Sequence, residues 1–292
     1  MRLLLVPSLV GLLLATTACG SLDDDSGRVK VAAGFYPLAW AAQRIGGDLV
    51  EVTNLTQPGA EPHDLELTIK ETVSIAEADV VVYEHGFQPA VDDSVEQNAE
   101  GTTLDAADVA DLQPFADQPD DLDPHFWQDP LRLADVGDAL ARDLADADPD
   151  HATTYAANAR ALRRDLTALD RDYTAGLADC ARHTIVATHD AFGYLGRYGL
   201  EIEPITGLSP DAEPTPADLG RLQDLIRSDG ITTVFSETLV SAKTADTLAG
   251  DLGIESAVLD PIEGLSDRTA DEDYESLMRR NLAALEKAND CR

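Results

Sequence analysis

DHATTYAANARALRRDLTALDRDYTAGLAD, residues 150–179, carries no strand signal and no glycine before Gly176. Tyr155, Leu162 and Leu169 recur every seven residues, as do Ala159, Leu166 and Tyr173, and together they draw one apolar seam along a helix. A helix of nearly thirty residues is roughly 40 Å long at 1.5 Å per residue. Barely three heptads favour a brace inside one molecule over a coiled coil with a partner chain. The spacing therefore predicts a stiff helix joining two lobes.

On both sides of that helix, short apolar runs alternate with longer helical patterns. Strands are predicted over 29–33, 49–55 and 80–83 before it, and over 184–189, 201–205, 231–236 and 255–259 after it. Helices fall between them, for example over 38–45 and 68–78, and one opens at Thr215-Pro216, where Thr caps and Pro takes the first helical position. Alternation of this kind implies parallel sheets covered by helices, so the fold class is α/β with two parallel-sheet lobes. The expected division is an N-terminal lobe over 29–149, the connecting helix over 150–179 and a C-terminal lobe over 180–292.

The chain has 292 residues, 44% of them apolar, enough for real cores. Against 55 Asp plus Glu stand 21 Lys plus Arg, a formal net charge of -34. Nucleic acid is excluded as a partner, because phosphate binding needs clustered basic residues. Only Lys30, Lys70, Lys243 and Lys287 are lysines, which argues against a basic membrane-binding patch. Residues 3–15 (LLLVPSLVGLLLA) are too short to span a bilayer comfortably and read as an export signal over 1–18. Ala18-Cys19-Gly20 resembles a lipoprotein processing site that lipidates Cys19, and the polar, acidic stretch to residue 28 reads as a tether. The expected location is outside the cytoplasm, anchored to the membrane through lipid. There, the remaining pair, Cys180 and Cys291, is most simply a disulfide.

Three of the six histidines stand in loops or at strand ends. His63 lies in the turn-rich GAEPHD, His125 in DPHFWQDP ahead of a helix capped by Asp129, and His189 ends the strand TIVAT. Loops at the carboxyl ends of parallel strands line the ligand crevice, so two histidines from one lobe and one from the other could meet there. Asp260, after Val258-Leu259, holds an equivalent strand-end position. His85, His151 and His183 are read as non-ligands.

In order along the chain, EPHDLEL (61–67), DPHFWQDP (123–130), THDAFGYLGRYGL (188–200), FSETL (235–239) and VLDP (258–261) bracket the long helix. In these pieces the sequence resembles the lipoprotein substrate-binding proteins of zinc and manganese ABC importers. The resemblance implies a metal site between the lobes, with His63, His125, His189 and Asp260 as ligands. It also implies an importer's permease and ATPase as partners, a monomer and no enzymatic activity. Three imidazoles and a carboxylate suit Zn²⁺. Manganese members tend to carry Glu where His189 stands, so zinc is the expected cargo and manganese the alternative. Ligation needs neutral imidazole, so binding is expected to weaken as pH falls through about 6.5. Asp64, Asp190 and Glu237 are candidates for orienting the imidazoles.

One departure from the resemblance concerns a His-rich loop. Where many zinc members carry one, only DQPDDLD (117–123) occurs, read here as a solvated loop. The rival functions are an extracellular zinc hydrolase and an adhesin. The hydrolase reading needs an open coordination position and a nearby base, and no HExxH or GxSxG is present.

Overall fold

A computed structural model describes residues 27–115, 119–207 and 212–292. The export signal, Cys19 and most of the tether lie outside the described residues, as do Asp117 and Gln118 of the acidic loop.

In chain order the first half contains β1 (Val29–Ala33), α1 (Tyr36–Gly46), β2 (Val50–Asn54), α2 (Ile69–Ala76), β3 (Val80–Tyr83), α3 (Pro89–Asn98), β4 (Thr102–Asp105), α4 (Ala107–Ala110) and α5 (Pro130–Ala147). The long helix, α6, runs Ala152–Gly176. The second half contains β5 (Thr184–Ala187), β6 (Glu201–Pro204), α7 (Pro216–Asp229), β7 (Thr233–Ser236), α8 (Lys243–Leu252), β8 (Glu255–Val258) and α9 (Tyr274–Asn289). Each half forms one four-stranded, all-parallel sheet, ordered β2-β1-β3-β4 and β6-β5-β7-β8. Both sheets therefore have the same strand order, and both reverse direction of growth beside their first strand. Strand β4 is absent from the sequence expectations. Its Thr102-Thr103-Leu104-Asp105 is short, polar at the edge and buried only at Leu104, so it lacks the apolar run that marks β3.

Local chemistry sets the helix boundaries. Thr68 with Glu71 and Thr215 with Asp218 form reciprocal capping boxes that open α2 and α7. Asp129 accepts the Leu131 N–H at 2.9 Å and Pro130 takes the first position of α5. Gly230 and Gly253 close α7 and α8 at φ 64° and 68°, a conformation that costs glycine little.

Helix α6 buries all six seam residues: Tyr155, Ala159, Leu162, Leu166, Leu169 and Tyr173. Their partners are inside the chain, which leaves no seam for a coiled-coil partner. Asn158 Nδ2 donates to Ile45 O of α1 at 2.8 Å, and the Tyr173 hydroxyl donates to Met278 O of α9 at 2.7 Å. The brace thus grips one helix from each lobe. The largest apolar cluster runs without a break through β1, β3, α5, α6, β5 and α9, so one core spans both lobes. Separate clusters cover the outer face of each sheet. Cys180 and Cys291 form a disulfide that ties the end of α9 to the start of the second lobe. No helix among the described residues is long and apolar enough to cross a membrane.

Leu166 is fully buried, so Leu166→Ala should lower unfolding free energy by about 3 kcal/mol in urea titrations, whereas exposed Arg164→Ala should stay within about 0.5 kcal/mol. Equal effects would show that the seam is not packed.

Candidate metal centre

His63 is carried by the loop between β2 and α2. Gln88, at the start of α3, donates to Pro62 O at 3.3 Å and to Thr56 Oγ1 at 2.9 Å, which pins this loop from behind. His125 heads the tight turn Phe126–Gln128 that leads into α5. His189 stands two residues beyond β5, and the segment 259–273 after β8 supplies Glu263. All these loops meet where the carboxyl ends of the strands open between the lobes, the usual ligand crevice of parallel sheets.

One ligand atom from each of His63, His125, His189 and Glu263 lies within 4.8 Å of the others. Glu263 Oε1 is 3.5 Å from His63 Nε2, 3.4 Å from His125 Nε2 and 3.3 Å from His189 Nε2. His125, His189 and Glu263 are buried, and His63 is almost so. Neither His189 Nε2 nor Glu263 Oε1 has a hydrogen-bond partner among the described residues. Buried polar atoms left this way are costly, and two of them inside a cluster of four convergent donors fit a cation.

The other imidazole nitrogens are held from outside. His125 Nδ1–H donates to Asp123 Oδ1 at 2.8 Å, and the His125 backbone N–H donates to the same oxygen at 2.9 Å. His189 Nδ1–H faces both oxygens of Glu237 at 2.8 Å. With Nδ1 as the donor to the carboxylate behind it, Nε2 is the nitrogen turned toward the cluster, able to offer its lone pair once its proton is displaced, and each ring is fixed in orientation. Asp123 is positioned in turn by Gly193, where a Cβ would meet Asp123 Oδ2 at 2.6 Å, and by Tyr194, whose hydroxyl donates to Asp123 O at 2.7 Å.

Asp260, expected among the ligands, does not join the cluster. Its Oδ1 accepts the Ile262 N–H at 2.8 Å and its Oδ2 lies 3.3 Å from Arg280, while Glu263, three residues on, occupies the expected place. Of the groups expected to orient imidazoles, the structure puts Glu237 on His189. Asp64 is exposed, its N–H bonded to Glu61, and the Asp190 N–H donates to Gly207 O. Asp123 is missing from the sequence expectations, which place it in a solvated acidic loop, yet it is buried. The available signal was its spacing: a carboxylate two residues ahead of His125 can reach back to Nδ1. His85, His151 and His183 lie away from the cluster; His85 faces Asp92 and His151 faces Asp148.

The groups set one another's protonation. Burial opposes a charge on His189, but Glu237 and Glu263 outweigh it and push the imidazole up to about 10. His125 is raised in the same way, burial being overcome by Asp123 and Glu263. His63 goes the other way: burial lowers it and Glu263 only partly compensates. Burial would raise Glu263, yet the three imidazoles hold it well below the usual carboxylate range. Glu61, 4.0 Å from His63, is pushed up to about 7 by burial and then by Glu263. His63 is thus the imidazole shifted toward its neutral form, and it is the least enclosed of the three.

The family described as the periplasmic component A of the zinc-uptake complex (ZnuA) matches residues 31–288. The chain belongs to the ZnuA family. It is 32% identical to the zinc-binding lipoprotein AdcA of Streptococcus pneumoniae, over 98% of this chain and 60% of that protein. It is 30% identical to the high-affinity zinc uptake protein ZnuA of Bacillus subtilis, over 91% of this chain and 89% of that one. The chain therefore spans about 60% of the length of the AdcA relatives. Among solved structures, the zinc-bound ZnuA-like domain of S. pneumoniae AdcA superposes with a TM-score of 0.79 at 32% identity, covering 90% of this chain and 100% of that one. The laminin-binding protein Lmb of Streptococcus agalactiae, described as an adhesin with metal-transporting activity, gives 0.81 at 28% identity, covering 89% of this chain and 99% of that one.

The raised imidazoles move the expected pH window. Ligation requires neutral His189, held at about 10, so a binding cation must displace its proton throughout the neutral range. Apparent zinc affinity should climb about tenfold per pH unit for each proton displaced, from pH 6 to beyond 8, rather than level off above about 6.5. Titration calorimetry at pH 7 in two buffers of different ionisation enthalpy should show at least about one proton released per ion. No release would contradict this protonation pattern.

Proposed function

We propose that this protein captures Zn²⁺ outside the cytoplasm and delivers it to the permease and ATPase of an ABC importer. The observation that carries the reading is the convergence of three imidazole Nε2 atoms and one carboxylate oxygen, with two imidazoles locked from behind by Asp123 and Glu237. Three nitrogens and one oxygen make a borderline-soft, four-donor set, closer to the preference of zinc than to the oxygen-rich sites that hold manganese. Glu263 fills the fourth place, where a catalytic zinc would keep water, and this favours a carrier over a hydrolase. Membership of the ZnuA family and the zinc-binding relatives support the same cargo. A lipid on Cys19 would keep the carrier at the membrane beside its permease, in keeping with the lipoprotein relatives.

Protein purified without chelator should hold about one zinc per chain and should prefer Zn²⁺ over Mn²⁺ in competitive titration. The His63→Ala, His189→Ala double variant should lose that zinc while unfolding cooperatively as before. Unchanged metal content would overturn the ligand assignment, and manganese retained against excess zinc would overturn the cargo. Deletion of the gene should slow growth under zinc limitation, with recovery on added zinc.

A further inference from the structure

Glu263 comes from the second lobe, but the segment that carries it is held largely by the first. Pro261 O accepts Trp127 Nε1–H at 2.7 Å and Gln128 Nε2–H at 2.5 Å, both from the turn that follows His125. Leu265 O accepts the Gly59 N–H at 2.7 Å from the loop that carries His63. On its own side, the Asp260 backbone is clamped by Asn281, which donates to its carbonyl at 2.6 Å and accepts its N–H at 2.9 Å. Between these fixed points sits Ile262, fully buried, at φ 61°. A β-branched residue rarely adopts the left-handed region, and it stays there only when its surroundings over-determine it. The Asp260 carboxylate supplies the remaining restraint by accepting the Ile262 N–H. Returning Ile262 to an ordinary negative φ would turn the next Cα and carry the Glu263 carboxylate off the histidines.

We propose that Asp260, Trp127 and Gln128 are positioning residues: they hold Ile262 left-handed, and this keeps Glu263 on the three imidazoles and sets how fast the metal leaves. The proposal rests on the zinc-carrier reading and adds a release element to it. The continuous core through both lobes leaves little freedom for a hinge, whereas the strap over residues 260–265 can relax locally once its interlobe bonds to Pro261 O break.

The test uses the whole protein with Zn²⁺ for release rates and Co²⁺ as a spectroscopic probe. Asp260→Ala and Gln128→Leu should each speed chelator-driven zinc release by about tenfold or more. Their Co²⁺ absorption should move toward that of Glu263→Ala. Asp260→Asn, which keeps an acceptor for the Ile262 N–H, should release more slowly than Asp260→Ala. The Asp260→Ala, Glu263→Ala double variant should be no faster than Glu263→Ala alone, because both changes act through one carboxylate. Gln128→Leu keeps the side-chain volume and removes a buried Oε1 that has no partner among the described residues, so it should fold even where Asp260→Ala does not. Wild-type release and spectrum in Gln128→Leu and Asp260→Ala, or fully additive effects in the double variant, would overturn the proposal. A Glu263→Ala protein with unaltered spectrum and release would instead overturn the ligand assignment beneath it.

Discussion

Four polar groups aimed at one buried point are the constraint on which this molecule depends. Three imidazole nitrogens and the Glu263 oxygen crowd together out of reach of water, and by themselves they would separate or hydrate. The fold keeps them there by fixing each from behind. Asp123 and Glu237 hold two rings, Gln88 holds the loop of the third, and Trp127 with Gln128 holds the strap that carries the carboxylate. Much of this support crosses between the lobes, so the site is also part of what joins them.

The electrostatics follow from the same crowding. Glu263 faces three imidazoles and stays charged although buried, and that charge, with Asp123 and Glu237, raises His125 and keeps His189 protonated through the neutral range. On the proposed reading, a cation entering the cluster would replace the His189 proton, exchanging one positive charge for another rather than creating charge in an apolar interior. Glu84 shows the opposite outcome. It is buried with both carboxylate oxygens unpartnered among the described residues, and burial, then Asp123, drives it well above the usual range, toward its neutral form. What separates the two carboxyls is the presence of imidazoles.

A bulk charge of -34 contributes little to this chemistry. The acidic residues lie mostly on helices and loops, where exposed ion pairs such as Arg163 with Asp135 and Asp138 add little stability. Asp123 is the exception, an acidic-loop residue that turned inward. Its neighbours in DQPDDLD give no hint of this, because the inward turn depends on Gly193 and Tyr194 from the other lobe.

The sequence by itself determined the two α/β lobes, the α6 brace and the meeting of His63, His125 and His189. Apolar periodicity is local, and loops that follow parallel strands gather at one crevice, where the three histidines could meet. Edge strand β4 escaped because its hydrogen bonds to β3, not its apolar content, make it a strand. Only the tertiary structure shows Glu263, and not the expected Asp260, beside the three imidazoles. Both are carboxylates in one irregular loop, where side-chain direction follows the backbone dihedral of each residue rather than a repeating pattern. That dihedral, positive at Ile262, is enforced by Trp127 and Gln128, more than 130 residues away in the chain.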